Sequence, residues 1–215
     1  MRLALRHAQH SFREKEVPIG AVIVDGEGII LATSGNEVEA RNDVTAHAEI
    51  SCIRKAALIK KNWRLSDCTL YSTLEPCPMC MGAIQASRIK RVVFGAPDIR
   101  MGACGSWINL IDSKHPFHDV EVVGGLLEEE SSTLLKRFFQ MRRREAATIA
   151  ATAKNASVLS ATSDEIISSC TSEKYGGQEG DEKDATNRIV EKSSALHIDR
   201  GYGVEDLLAQ QDPTF

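Results

Sequence analysis

Residues 68–96 read CTLYSTLEPCPMCMGAIQASRIKRVVFGA. Two β-rich runs, CTLYST (68–73) and RVVFGA (91–96), flank a segment of helical character that opens at Pro78. Proline suits the first position of a helix, where the N–H it lacks has no partner in any case. Strand, helix and strand in that order give two parallel strands joined by a crossover. Outward from this unit, AVIVDGEGIILAT (21–33) is two strand-forming runs around Asp25-Gly26, the signature of a hairpin. Ala46, Ile50, Ile53 and Ala57 recur at helical spacing and predict a helix over 46–59. A first helix over 3–15 follows from Leu3, Leu5, Ala8 and Phe12 among polar neighbours, and VEVVGGL (120–126) reads as a fifth strand. The last helix, 128–145, begins with Glu128, Glu129 and Glu130 and ends with Arg142, Arg143 and Arg144, the order that complements a helix dipole. The expected architecture is an α/β fold: a three-layer α/β/α sandwich with a mixed five-stranded sheet and the hairpin at one edge.

Charge divides the chain. Of its 215 residues, 1–145 hold 20 Lys/Arg against 18 Asp/Glu, whereas 146–215 hold 6 against 12. The net charge of -4 therefore comes from the second segment and says little about what the first one binds. Over 146–164, 13 of 19 residues are Ala, Ser or Thr, and EKYGGQEGDEKDATNR follows. So little large apolar surface does not offset ordering entropy, so 146–215 is expected to be a mostly disordered acidic tail. Its end, GVEDLLAQ, reads as a frayed terminus, with a short docking helix as the alternative. No run approaches the ~18 apolar residues of a membrane-spanning helix. Six cysteines without a scaffold spacing fit a reducing, intracellular compartment.

The chemistry sits where a strand gives way to a helix, twice. TAHAEI (45–50) places His47 and Glu49 at one helix start, and EPCPMC (75–80) places Cys77 and Cys80 at another. An imidazole and two thiols suit zinc, which favours N and S ligands in a tetrahedron. Three protein ligands leave a fourth position open, the mark of a catalytic ion. Zinc lowers the pKa of a bound water to about 7. Residues two apart in a helix point roughly 200° away from each other. His47 and Glu49 therefore share a site only at the helix mouth, where Glu49 serves as general acid and base. A lone CxxC also fits half of a zinc ribbon or a redox pair. Cys52, Cys68, Cys104 and Cys170 supply no second pair for a ribbon, and a redox motif needs neither His47 nor Glu49. Cys52 and Cys68 are expected in the core, His115 and His118 in a solvated loop.

HAE followed by PCPMC matches the zinc nucleobase-deaminase signature. The longer text TLEPCPMCMGAIQASRIKRVVFGAPDIRMGACGS (73–106), with EVPIGAVIV (16–24), GN (35–36) and FFQMRR (138–143), resembles the bacterial and plastid tRNA wobble-adenosine deaminases. The resemblance covers roughly residues 1–145. It implies the cytidine-deaminase-like fold, one Zn2+ per chain on His47, Cys77 and Cys80, and Glu49 as the proton carrier. It further implies a homodimer and a tRNA anticodon stem-loop as substrate, with adenosine converted to inosine. Substrate contacts are implied for Asn36, Ala48, Asp98, Arg100, Phe139, Arg142 and Arg143. Of the Phe138-Phe139 pair, one packs in the core with Leu134 and Leu135 and the resemblance assigns the other, Phe139, to RNA.

A bacterial-type domain with a long acidic tail suggests a piece of a plant plastid enzyme; otherwise the cytoplasm is expected. The clusters Lys60-Lys61-Arg64, Arg88-Lys90-Arg91 and Arg142-Arg144 are candidate RNA patches, or else solvated surface. Two rivals remain at this point. A deaminase of free guanine or cytosine would share the zinc residues but not need the basic last helix. A structural zinc module would leave Glu49 idle.

Overall fold

The computed structural model describes residues 1–112 and 118–172, with side chains in the last helix through 152. Contacts divide the chain into two compact units, Met1–Ala156 and Ser157–Phe215. The first holds a five-stranded sheet: β1 (Gly20–Val24), β2 (Ile30–Gly35), β3 (Thr69–Leu74), β4 (Arg91–Ala96) and β5 (Glu121–Val123), in the order β2-β1-β3-β4-β5. The β1–β2 hairpin forms one edge and pairs antiparallel with β3, while β3, β4 and β5 run parallel. This is the mixed sheet that the sequence leads one to expect. The helices are α1 (Arg2–Arg13), α2 (Val38–Arg41), α3 (Ala48–Lys60), α4 (Pro78–Ala86) and α5 (Glu128–Ser172). The one-turn α2 has no counterpart in the predicted elements.

α3 and α4 cover one sheet face. Ala21, Ile23, Leu70 and Val92 meet Cys52, Ala56, Met81 and Ile84 there, all fully buried. α1 takes the other face, and it departs from expectation. The side it buries is Ala4, Ala8 and Ser11 rather than the leucines. The reason lies in the strands: a Cβ at Gly20 would strike the Ala4 carbonyl, and one at Gly35 would strike Ser11 Oγ. Two glycines let the helix backbone approach, and only small residues fit between.

α5 also departs from expectation, continuing past Glu145 to Ser172. Alanine is the strongest helix former, and no glycine or proline interrupts the chain between Gly125 and Gly176. Residues 146–172 are therefore helical. The rest of the acidic segment, with GVEDLLAQ, lies outside the described residues, as does His115.

Candidate active site

The carboxyl ends of β3 and β4 form the crevice in which open α/β sheets hold their ligands. Leu74 ends β3, and three residues later Cys77 caps the N-terminus of α4 with extended backbone. His47 caps α3 in the same way. Each of these caps thus lies outside its helix proper, which brings two helix mouths together. His47 Nδ1 lies 3.6 Å from Cys77 Sγ and 3.5 Å from Cys80 Sγ, and the three donor atoms all fall within 4.8 Å of one another. A tetrahedral ion with Zn–S of about 2.3 Å and Zn–N of about 2.0–2.1 Å needs an N–S separation of about 3.55 Å. The donors fit zinc in type and in spacing.

Electrostatics sharpen the fit. Cys77 is held down at about 4, first by a hydrogen bond from Cys80 and then, against its own burial, by one from His47. Cys80 is pushed up because it donates to Cys77 and is buried. Without metal the pair therefore holds one thiolate and one thiol. His47 is raised by its bond to Cys77. Cys77 alone is lowered among these thiols: burial drives Cys52 and Cys104 up to about 12, and Cys68 to about 11.

Glu49, on the first turn of α3, is 3% exposed. Its Oε1 accepts a hydrogen bond from Ser72 Oγ on β3 at 3.3 Å, and its Oε2 is buried with no partner. Burial raises its pKa. A carboxylate held at one oxygen and unsatisfied at the other, beside a zinc-type donor set, is equipped to take and return protons.

His47, Glu49 and Cys77 lie on the wall of a cavity of about 680 Å³ that is otherwise built from Glu16, Asn36, the 97–101 segment and α5. Asn36 is buried and donates from Nδ2 to Glu16 Oε2 at 3.0 Å, while Glu16 Oε1 accepts from the Ala40 amide at 2.8 Å. Phe139 and Arg143 of α5 line the cavity together with Asp98 and Arg100. The Arg100 guanidinium lies over the Phe139 ring, 5.5 Å from its centroid.

The sequence profile of the cytidine and deoxycytidylate deaminase zinc-binding region matches residues 1–96. The tRNA-specific adenosine deaminase of Haemophilus influenzae is 46% identical over 127 residues, spanning 59% of this chain and 73% of that one. The chain belongs to the tRNA-specific adenosine deaminase family. The chloroplastic tRNA(adenine(34)) deaminase of Arabidopsis thaliana is 44% identical over 144 residues; the match covers 60% of this chain and only 11% of that much longer one. A solved structure from work on A-to-I editing by tRNA:A34 deaminases at the wobble position of transfer RNA superposes with a TM-score of 0.59 at 44% identity. That superposition covers 63% of this chain and 97% of the other, so it confirms the cytidine-deaminase-like sheet and helices.

Within this deaminase fold, most residues singled out from the sequence converge. Nine line the cavity or form the donor cluster: Asn36, His47, Glu49, Cys77, Cys80, Asp98, Arg100, Phe139 and Arg143. Phe138 packs edge-on against Phe12 in the core, leaving the cavity to Phe139. Two do not converge. Arg142 points to the other side of α5, pairs with Glu145 at 3.5 Å and lines a separate groove with Phe12 and Lys15. Ala48 is fully buried in the core rather than on the cavity wall.

Two members of the basic clusters lie away from this cavity. Lys60 ends α3 and Arg91 begins β4, at the opposite ends of those elements from the site, and they pair with Asp67 and Glu121. The cations that line the cavity are Arg100, Lys136 and Arg143. His118 is not simply solvated, since its Nε2 lies 2.7 Å from the Ile89 carbonyl oxygen.

Sequence reasoning missed Glu16, Glu75 and Lys136. Glu16 and Glu75 stand inside the quoted motifs EVPIGAVIV and EPCPMC, and for Glu75 an acidic residue between a strand end and a proline was the available signal.

Proposed function

We propose that this chain catalyses the zinc-dependent hydrolytic deamination of adenosine to inosine at the wobble position of tRNA. The observation that supports it most is the meeting of His47 Nδ1 with two thiols beside the half-satisfied carboxylate of Glu49. His47, Cys77 and Cys80 would hold one zinc per chain. Bound there, zinc lowers the pKa of water towards neutrality and so supplies the nucleophile for C6 of adenine. Glu49 takes the water's proton and delivers it to N1 of the base, then carries the proton of the new C6 hydroxyl to the amine, so that the carbonyl forms as ammonia leaves. Ser72 fixes Oε1 during these transfers, so that Oε2 does the work.

Asn36, its amide orientation set by the acceptor-only carboxylate of Glu16, binds the base. A base splayed out of an anticodon loop enters at low unstacking cost. Phe139 stacks on a neighbouring base, while Arg100, Lys136 and Arg143 meet the phosphates. The active form is a homodimer in which the 97–106 segment lines both the dimer contact and the RNA channel.

Turnover on a wobble-adenosine stem-loop, compared with free adenosine, guanine and cytidine, tests this reading. The stem-loop is the preferred substrate by at least about a hundred-fold, as expected when remote binding energy serves catalysis. Preference for a free base would refute the RNA substrate and leave the zinc chemistry intact.

A further inference from the structure

Glu75 is 2% exposed, and both of its oxygens are taken. Oε2 accepts from the Asp98 amide at 2.9 Å, and Oε1 accepts from the amides of Cys104 at 2.8 Å and Ser106 at 3.2 Å. Its own amide bonds to the Ala96 carbonyl at the end of β4, and the Pro76 carbonyl accepts from Ala103 at 2.9 Å. The dipeptide just ahead of Cys77 thus anchors the whole 97–106 loop. The approach is so close that a Cβ at Gly102 would collide with the Glu75 carboxyl group.

This is an unusual way to hold a loop. An ionised carboxylate out of water is costly unless its lone pairs are filled. Here three backbone N–H groups fill them, those of Asp98, Cys104 and Ser106. The loop so fixed is not a packing element. Ile99 is 79% exposed and Met101 52%, and both border the cavity beside Arg100. Asp98 extends the order outward, since its Oδ1 accepts from the Arg100 and Met101 amides at 3.0 and 3.3 Å. An exposed segment held rigid from beneath is pre-organised for a partner.

We propose that Glu75 is a positioning residue for substrate binding: it fixes the 97–106 loop so that Asp98 and Arg100 meet the RNA beside the zinc ligands. With no free oxygen it does no proton chemistry. It acts only through the loop. The inference rests on the RNA reading above and adds a residue that controls affinity rather than the chemical step.

Glu75→Gln is the informative change, because it keeps shape and volume but turns one acceptor oxygen into a donor facing an N–H. Gly102→Ala disturbs the same contact from the loop side. Three quantities should be measured on the full-length, zinc-loaded chain: zinc per chain, amide exchange at Asp98, Cys104 and Ser106, and kcat and KM on a wobble-adenosine stem-loop. In both variants zinc is retained, exchange at these amides accelerates at least about ten-fold, KM rises about ten-fold, and kcat stays within about three-fold.

Loss of zinc from Glu75→Gln would show that the residue supports Cys77 instead, and would overturn the proposal. Faster exchange with unchanged KM would also overturn it. If Glu75→Gln fails to fold, Gly102→Ala decides by the same readouts. Wild-type protein that neither binds nor turns over the stem-loop would instead defeat the RNA reading, an outcome recognisable before any variant is made.

Discussion

Ser72 on β3 donates to Glu49 Oε1 at 3.3 Å, across the junction between the sheet and α3, and leaves Oε2 as a buried acceptor without a partner. One strand residue thereby orients the group on which the proposed proton transfers depend. Glu49→Ala should keep its zinc and lose roughly 10²–10⁴-fold or more in turnover, the range for a positioned acid–base group. Metal analysis and single-turnover rates on the same preparation check this. A variant stripped of zinc would make Glu49 a ligand rather than a proton carrier.

The environment of Glu49 sets a pH signature in the metal-free protein. Burial raises its pKa, so the folded state prefers the protonated form. Stability from this group is fully present below the ordinary glutamate range and is lost as pH rises through the folded-state value. Glu49→Gln stays neutral throughout. In chelator-treated protein it should melt above wild type at neutral pH, with the gap closing as pH falls towards 4, the ordinary glutamate range. Melting curves across that window give the answer, and a gap that widened on acidification would reverse the sign.

The two adjacent phenylalanines should separate stability from binding. Phe138, 3% exposed against Phe12, should cost about 3–5 kcal/mol on truncation to alanine. Phe139→Ala should leave the melting temperature near wild type and weaken stem-loop affinity about ten-fold, since base stacking is worth about 1–3 kcal/mol. The opposite pattern would mean that the face of α5 has been assigned backwards.

Arginines one residue apart should differ for the same geometric reason. Arg143→Ala should weaken binding and reduce the slope of log K against log salt by about 1, as when one phosphate contact is lost. Arg142→Ala should change neither, because that side chain lies on the far side of α5 with Glu145. Salt titrations of both variants decide.

The sheet and the His47, Cys77 and Cys80 cluster were legible in the sequence because they depend on local pattern. Pro78 sets a helix start, and His47 and Cys77 precede helices whose apolar spacing is readable. The structure buries Phe138 and sets Phe139 on the cavity wall. What stayed hidden depends on approach in three dimensions. The burial of Ala4 and Ser11 beside Ala8, in place of Leu3 and Leu5, follows from Gly20 and Gly35 lying beneath them. The roles of Glu16 and Glu75 arise from backbone amides 23 to 31 residues away, which no spacing rule reports. The continuation of α5 was available in the alanine content but was outweighed by the lack of large apolar residues. Helix propensity and core-forming capacity are separate properties, and residues 146–172 have the first without the second.

The central claim, that this zinc site acts on a wobble adenosine in RNA, has one direct measurement. Zinc-loaded protein is incubated with tRNA transcripts carrying adenosine at the wobble position, and the products are sequenced so that inosine reads as guanosine. Inosine should accumulate at that position alone, and Glu49→Ala should abolish it. Fully zinc-loaded wild-type protein that leaves every wobble adenosine unchanged would contradict the account.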